Sequence, residues 1–148
     1  MNLLNFELYK KLCAYSPTKQ DEDEWERQYN CWVETFNQFK DELPDEFVSE
    51  FEKKHFHDYQ IRSLLLLSSE LPCSICINLN HSDNDHLLTF VNVMDLNVNL
   101  KNISSGFVEW LVCEIGKINE ATKYISILCS HGDISFRFET LNYSKTLN

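Results

Sequence analysis

Apolar residues recur every three or four positions through the first 55 residues and every second position afterwards, so the chain is expected to pass from helix to strand just beyond His55. Leu4, Leu8, Leu12 and Tyr15 predict a first helix ending near Tyr15, with Ser16-Pro17-Thr18 as the breaker. From Asp21 to Asp41, the residues Trp25, Tyr29, Trp32, Val33, Phe36 and Phe39, continued by Leu43, mark one face of a longer helix. The acidic opening of that helix suits the positive end of its dipole. Pro44 is compatible with the first turn of a third helix, whose buried side is Phe47, Val48 and Phe51.

Beyond that point Tyr59 to Leu67 predicts a strand that begins half-exposed and becomes buried on both faces at Leu64–Leu67, which implies a central or covered position. Cys73 to Asn80 and Leu87 to Met94 read as a hairpin around Ser82-Asp83-Asn84-Asp85. Phe107–Ile118, Tyr124–Cys129 and Ile134–Leu141 give three further strands, and Asp95–Ser105 reads as a longer loop. Short connections favour antiparallel pairing. The expectation is one α+β domain over residues 1–148: helices in 1–55, packed on a largely antiparallel meander of about five to six strands in 56–143.

Composition adds a charge constraint. A formal net charge of -10 repels phosphate backbones, which argues against nucleic acid as a ligand and favours encounter with a basic protein. The beginning of the sequence has no basic and apolar leader pattern, and Leu64–Leu67 is too short to span a bilayer, so a cytoplasmic protein with no membrane contact is expected. The glycosylation sequons at Asn102 and Asn142 then have no use. Six scattered cysteines read as reduced, mostly buried thiols.

With only three glycines, at 106, 116 and 132, no phosphate-cradling loop can be assembled, and no Gly-x-Ser-x-Gly elbow is present. No cofactor is expected. Cys73-Ser-Ile-Cys76 has redox or zinc spacing, yet strand alternation would send its two sulfurs to opposite faces, where core packing is the simpler role. His55, His57 and Asp58, with His81, Asp83, Asp85 and His86, contain enough ligands for a metal or acid–base site if they converge. Their plainer account is a cationic His55 at a helix end and an Asx-rich hairpin turn. Asp21, Glu22, Asp23, Glu24, Trp25 and Trp32 combine acid with aromatic anchors and form a candidate partner-binding face, the alternative being the ordinary inner side of an amphipathic helix.

The helix Pro44-Asp-Glu-Phe-Val-Ser-Glu-Phe51 followed by His57-Asp58-Tyr59-Gln60-Ile61-Arg62 resembles a group of small bacterial proteins similar to immunity proteins of polymorphic toxin systems. In that group a His-Asp pair with an apolar residue three beyond the Asp opens the first strand, and His57, Asp58 and Ile61 match. The resemblance covers Phe47 to Tyr143 and implies no catalytic residue. It implies a non-enzymatic protein-binding protein, with an immunity-type inhibitor of a basic toxin as one form. The alternative is a metal-dependent hydrolase using the His/Asp cluster. A small-molecule site on a sheet face is the third possibility.

Overall fold

A computed structural model describes residues 2–14, 16–104 and 106–147, so the expected role of Tyr15 and the Ser105 end of the expected loop lie outside the described residues. Helix α1 spans Phe6–Leu12, with the Asn5 side chain accepting from the Glu7 and Leu8 N–H groups. Helix α2 spans Lys19–Phe39, two residues earlier at each end than its apolar pattern suggests, because Thr18 and Asp21 form a reciprocal capping box. After a 3-10 turn at Lys40–Glu42, α3 spans Asp45–Lys54, with Pro44 at its N-cap instead of in its first turn. Among the described residues no helix is long and apolar enough to cross a membrane.

Seven strands follow: β1 Gln60–Leu66, β2 Cys73–His81, β3 Asn84–Leu100, β4 Val108–Lys117, β5 Lys123–Cys129, β6 Gly132–Phe138 and β7 Thr140–Leu147. Every pairing is antiparallel. The expected antiparallel meander of about five to six strands is corrected here to seven strands, six of which close. Two meanders, β1-β2-β3 and β4-β5-β6, close on each other into a six-stranded barrel in the order β2-β1-β4-β5-β6-β3, with β3 returning to β2 and β7 added beside β3.

Closure is possible because β3 is long and serves both halves. Its first half pairs with β2 and β7, and its second half pairs with β6. Left-handed φ values at Asn92 and Asp95 (55° and 53°) bend it between the two, as bulged corners of barrels do. Residues 95–100, expected in a loop, are therefore strand. The expected strand Ile134–Leu141 straddles two, since β6 and β7 run consecutively along β3 with Met94 opposite Arg137 and Val91 opposite Thr140. At the β5–β6 turn, Gly132 sits at φ 148°, and a side chain there would collide with the Asn99 carbonyl oxygen of β3.

The interior is lined by Ile75, Ile77, Leu88, Phe90, Ile115, Ile125, Ile127, Ile134 and Phe138, all fully buried. Phe90 meets the rings of Phe136 and Phe138 edge-on at 4.9 Å. A second aromatic cluster holds the helices: Trp32, Phe36, Phe47 and Phe51 stack through α2 and α3. Phe56 connects the helical cluster to the barrel, touching Phe47 and Phe51 on one side and Trp110 of β4 on the other. It is fully buried and sits at φ 60°, an unusual conformation for a bulky residue. The Trp32 indole N–H donates to the Ile115 carbonyl at 3.1 Å, fastening α2 along β4. The buried Glu114 carboxylate accepts from the Leu3 and Leu4 N–H groups and from the Tyr124 hydroxyl, fastening the N-terminal segment.

Strand β1 departs most from expectation. Its last residues are open to solvent instead of buried on both faces, because β4 accompanies it only at Gln60 and Ile61. The cysteines also differ from expectation: Cys73, Cys113 and Cys129 are buried, Cys76 is half-buried, and Cys13 and Cys31 are exposed, all as free thiols.

Because Phe56 is fully buried between the helical aromatics and Trp110, Phe56→Ala is expected to cost about 3–5 kcal/mol. Leu65→Ser, on the exposed end of β1, should move stability by no more than about 0.5 kcal/mol. Urea unfolding followed by tryptophan fluorescence measures both.

Candidate functional site

The His and Asp residues picked out in the sequence fall into separate places. His55 ends α3 in the left-handed conformation at φ 53°, its N–H donating to the Phe51 carbonyl. Its ring is surrounded by Tyr29, Trp32 and Phe51, and Tyr29 Oη lies 3.2 Å from Nδ1. Burial lowers its pKa, so the expected cation at the helix end is replaced by a neutral ring packed in an aromatic cage.

His57 places Nδ1 2.8 Å from the Leu111 carbonyl oxygen. A carbonyl only accepts, so Nδ1 carries the proton and Nε2 faces Asp58 Oδ1 at 3.3 Å. The Asp58 N–H donates to the Trp110 carbonyl, and Ile61 lies opposite Val108 in the β1–β4 ladder. His57, Asp58 and Ile61 thus meet one strand, β4, at the joint between helices and barrel. Asp83 occupies the β2–β3 turn, where Ser82 and Asp83 both adopt positive φ, as a two-residue hairpin with right-handed strand twist requires. Asp85 accepts from Asn80 Nδ2 at 2.9 Å.

His81 and His86 do come together, around residues the sequence pattern did not single out. The Tyr59 ring stacks on His81 at 4.3 Å and lies 5.0 Å from His86, whose Nδ1 is 2.8 Å from the Tyr143 hydroxyl. The Tyr59 hydroxyl donates to Glu50 Oε1 at 2.6 Å, Lys53 Nζ donates to Oε2 at 2.8 Å, and Lys145 approaches to 3.7 Å. Glu50 is buried beside an open cleft of about 420 Å³ whose lining includes Asp45, Tyr143 and Lys145. Burial alone would raise its pKa, but the bonds from Lys53 and Tyr59 and the charge of Lys145 outweigh it and hold the carboxyl at about 2.

Such a carboxylate stays ionised and is a poor proton acceptor near neutrality. Burial lowers the pKa of both His81 and His86 and raises that of Tyr143 to about 12. The cluster therefore welds α3 to Tyr59 just before β1 and to β2, β3 and β7, with Glu50 and His86 held by hydrogen bonds and His81 by stacking. Among the described residues no three His, Cys, Asp or Glu side chains converge as a metal-ligand group. The sequence did carry one signal for this cluster: Glu50 lies three residues after Phe47, on the apolar stripe of α3, where a carboxylate needs partners.

The Cys-x-x-Cys sulfurs sit on opposite faces of β2: Cys73 is buried, while Cys76 Sγ lies 3.6 Å from Thr89 Oγ1. The acidic run of α2 is largely engaged locally. Asp21 caps the helix and meets Lys11, Asp23 pairs with Lys19, and Glu24 pairs with Arg27, leaving Glu22 exposed and with no ion pair among the described residues. Trp25 packs half-buried against Tyr9, and Trp32 is 1% exposed, part of the core.

An open seam in the barrel is the feature that sequence reasoning missed. The exposures of Leu65, Leu66, Leu67 and Leu71 are 56%, 45%, 61% and 46%. The Leu67 N–H donates to the Ser74 carbonyl, so by antiparallel alternation Ser63 and Leu65 also face β2, opposite Asn78 and Cys76. The N–H and C=O groups of Leu64 and Leu66 then point away from β2, where no ladder partner exists among the described residues. Exposed Phe107 immediately precedes Val108, the last β4 residue to accompany β1, and so stands at the mouth of the seam. The signal was the run Leu64–Leu67 itself, which alternation cannot distinguish from a fully buried strand. No protein-family model and no curated protein sequence matches the chain.

The three depressed histidines set a pH dependence. Each binds a proton in the unfolded chain near pH 6.5 and resists it when folded, so stability is complete above that pH and falls as pH drops below it. The melting temperature should fall between pH 7 and pH 5, and His86→Gln should flatten that slope; an unchanged slope would contradict the assignment.

Proposed function

We propose that the chain is a non-enzymatic protein-binding protein that receives an extended segment of a partner along the open edge of β1. The observation that carries this reading is the exposed Leu65, Leu66, Leu67 and Leu71 beside main-chain groups at Leu64 and Leu66 that have no ladder partner among the described residues. Exposed apolar residues clustered in this way favour burial by another surface. An apolar cover alone would strand the N–H and C=O groups of Leu64 and Leu66 away from water, at about 1–3 kcal/mol for each unsatisfied group. A strand supplies both requirements, since it brings alternate apolar side chains and its own donors and acceptors.

The net charge of -10 adds a preference in encounter rate for basic proteins, and the acidic surface of α2 is where such a partner would be steered. An immunity-type inhibitor of a basic toxin, suggested by the resemblance around His57, Asp58 and Ile61, is one form this role would take. The joint formed by those three residues would then serve to hold β1 in place for binding. A cytoplasmic setting fits a protein with reduced thiols and an unprotected strand edge.

Benzoylphenylalanine placed at position 65 should photo-crosslink in intact cells to a discrete protein species, and the same probe at Glu22 should not do so at that mass. Leu67→Asp, with its melting temperature preserved, should abolish the adduct. Absence of any discrete adduct from position 65 would contradict the reading.

A further inference from the structure

We propose that the strand received along β1 carries large apolar side chains at two positions separated by one residue, and that these enter an open mouth of the barrel between β1 and the end of β3; this rests on the β1 edge being a binding surface. The register places the mouth. Residues directly opposite each other in an antiparallel ladder share one face of the sheet. Leu64 and Leu66 lie opposite Ile77 and Ile75, both fully buried in the barrel, so their side chains face inward. Val98 lies opposite the fully buried Ile134 and faces inward too, as does Leu100 by alternation.

These positions belong to one end of the barrel. β1 leaves β4 where β4 begins, beside Val108 and Glu109. The β5–β6 turn ties that place to the end of β3, because the Ser130 N–H donates to the Glu109 carbonyl and the Lys101 N–H donates to the His131 carbonyl. At the opposite end the inward residues Leu79, Leu88, Ile115, Ile125 and Phe138 are all fully buried. At this end Leu66 and Val98 face inward and are still 45% and 44% exposed. Inward apolar side chains left in water are a surface that an occupant would cover.

The main chain selects the class of occupant. The N–H and C=O groups of Leu64 and Leu66 have no ladder partner among the described residues, and these are the same two residues whose side chains face the mouth. A free apolar molecule would cover the side chains and leave those groups without a bond. A strand added beside β1 bonds to them, and the residues it sets opposite Leu64 and Leu66 project to the same face, into the mouth. The edge is short, since β1 ends at Leu66 and Cys73 already starts β2, so two inward positions are all it offers. The strand's intervening residue projects outward beside Ser63 and Leu65, whose β2 neighbours are Asn78 and Cys76. That outer row carries no charge, so selection falls on the two inward positions, with Val98 and Leu100 facing them from β3.

Panning a phage-displayed library of random nonapeptides against the full chain tests this. Enriched peptides should carry large apolar residues at i and i+2 with i+1 unrestricted, and should crosslink to benzoylphenylalanine at position 65. In a synthetic enriched peptide, Ser at either inward position should weaken binding about tenfold or more by fluorescence anisotropy, and Ser at i+1 should change it by less than about threefold. Val98→Asp, with its melting temperature preserved, should weaken the same peptide about tenfold, because it sets a carboxylate against the inserted side chain; if that variant melts early, the peptide substitutions decide alone. Peptides that crosslink at position 65 without the i, i+2 spacing, or that bind Val98→Asp as well as the parent chain, overturn the mouth while the β1 edge stands as a binding surface. Displacement of the peptide by dodecanoate at equal concentration assigns the mouth to a free apolar chain and overturns the strand as its occupant. If neither a peptide nor a cellular protein crosslinks at position 65, both readings fall.

Discussion

The two meanders of the barrel join along β3 and β6 and, at their other junction, by a ladder only two residues long, Gln60 and Ile61 against Glu109 and Val108. Main-chain bonds from the Asp58 N–H to the Trp110 carbonyl and from the Trp110 N–H to the Tyr59 carbonyl extend it slightly, and the His57 ring adds a bond to Leu111. Everything else follows from where that contact stops. Upstream, the chain must turn out of α3 and into β1, which it does through left-handed backbone at His55, Phe56 and Asp58. That turn pushes Phe56 inward between the helical aromatics and Trp110. Downstream, a bulge near Arg62 shifts the register against β2, and β1 leaves β4 altogether.

The parting creates two unpaired edges, and the protein treats them differently. Along β4 the edge is covered by α2, whose Trp32 indole N–H satisfies the Ile115 carbonyl while its ring joins the aromatic core. A hydrogen bond of this kind contributes about 1 kcal/mol net, and the buried indole contributes more through packing. Along β1 no described element plays the same part. The leucines from Leu65 to Leu67 remain exposed to water. Hydration keeps the cost of the open edge low in the monomer, which is why a stable fold can carry it. The acidic helices and the Glu50–Tyr59–His86–Tyr143 cluster stand apart from this edge and act as the frame that fixes β1 at its start.

Much of the architecture was legible because it depends on local periodicity. The helical stripe from Trp25 to Leu43, the helix boundary at Pro44 and the hairpin turn at Ser82-Asp83 each follow from side-chain spacing or backbone preference over a few residues. What depends on distant partners was hidden. The strand character of Asp95–Leu100 comes from pairing with β6, and the division of Ile134–Leu141 between β6 and β7 comes from the bend in β3. Barrel closure is likewise a property of β3 serving two sheets. The Leu64–Leu67 run looked buried because four consecutive apolar residues mean burial only if something lies on both sides, and the missing side is decided by where β4 ends. Glu50 and Tyr143 are far apart in the sequence and meet only after folding, so their cluster had no local signature beyond a carboxylate on an apolar face.

Residue-resolved amide hydrogen exchange by NMR, on dilute monomeric protein, tests the central claim that β1 is paired on one side only beyond Ile61. The amides of Ser63, Leu65 and Leu67 should be protected by β2 while those of Leu64 and Leu66 exchange rapidly. Equal and strong protection at all five positions in the dilute sample would show that the edge is already closed within one chain, and would contradict the account.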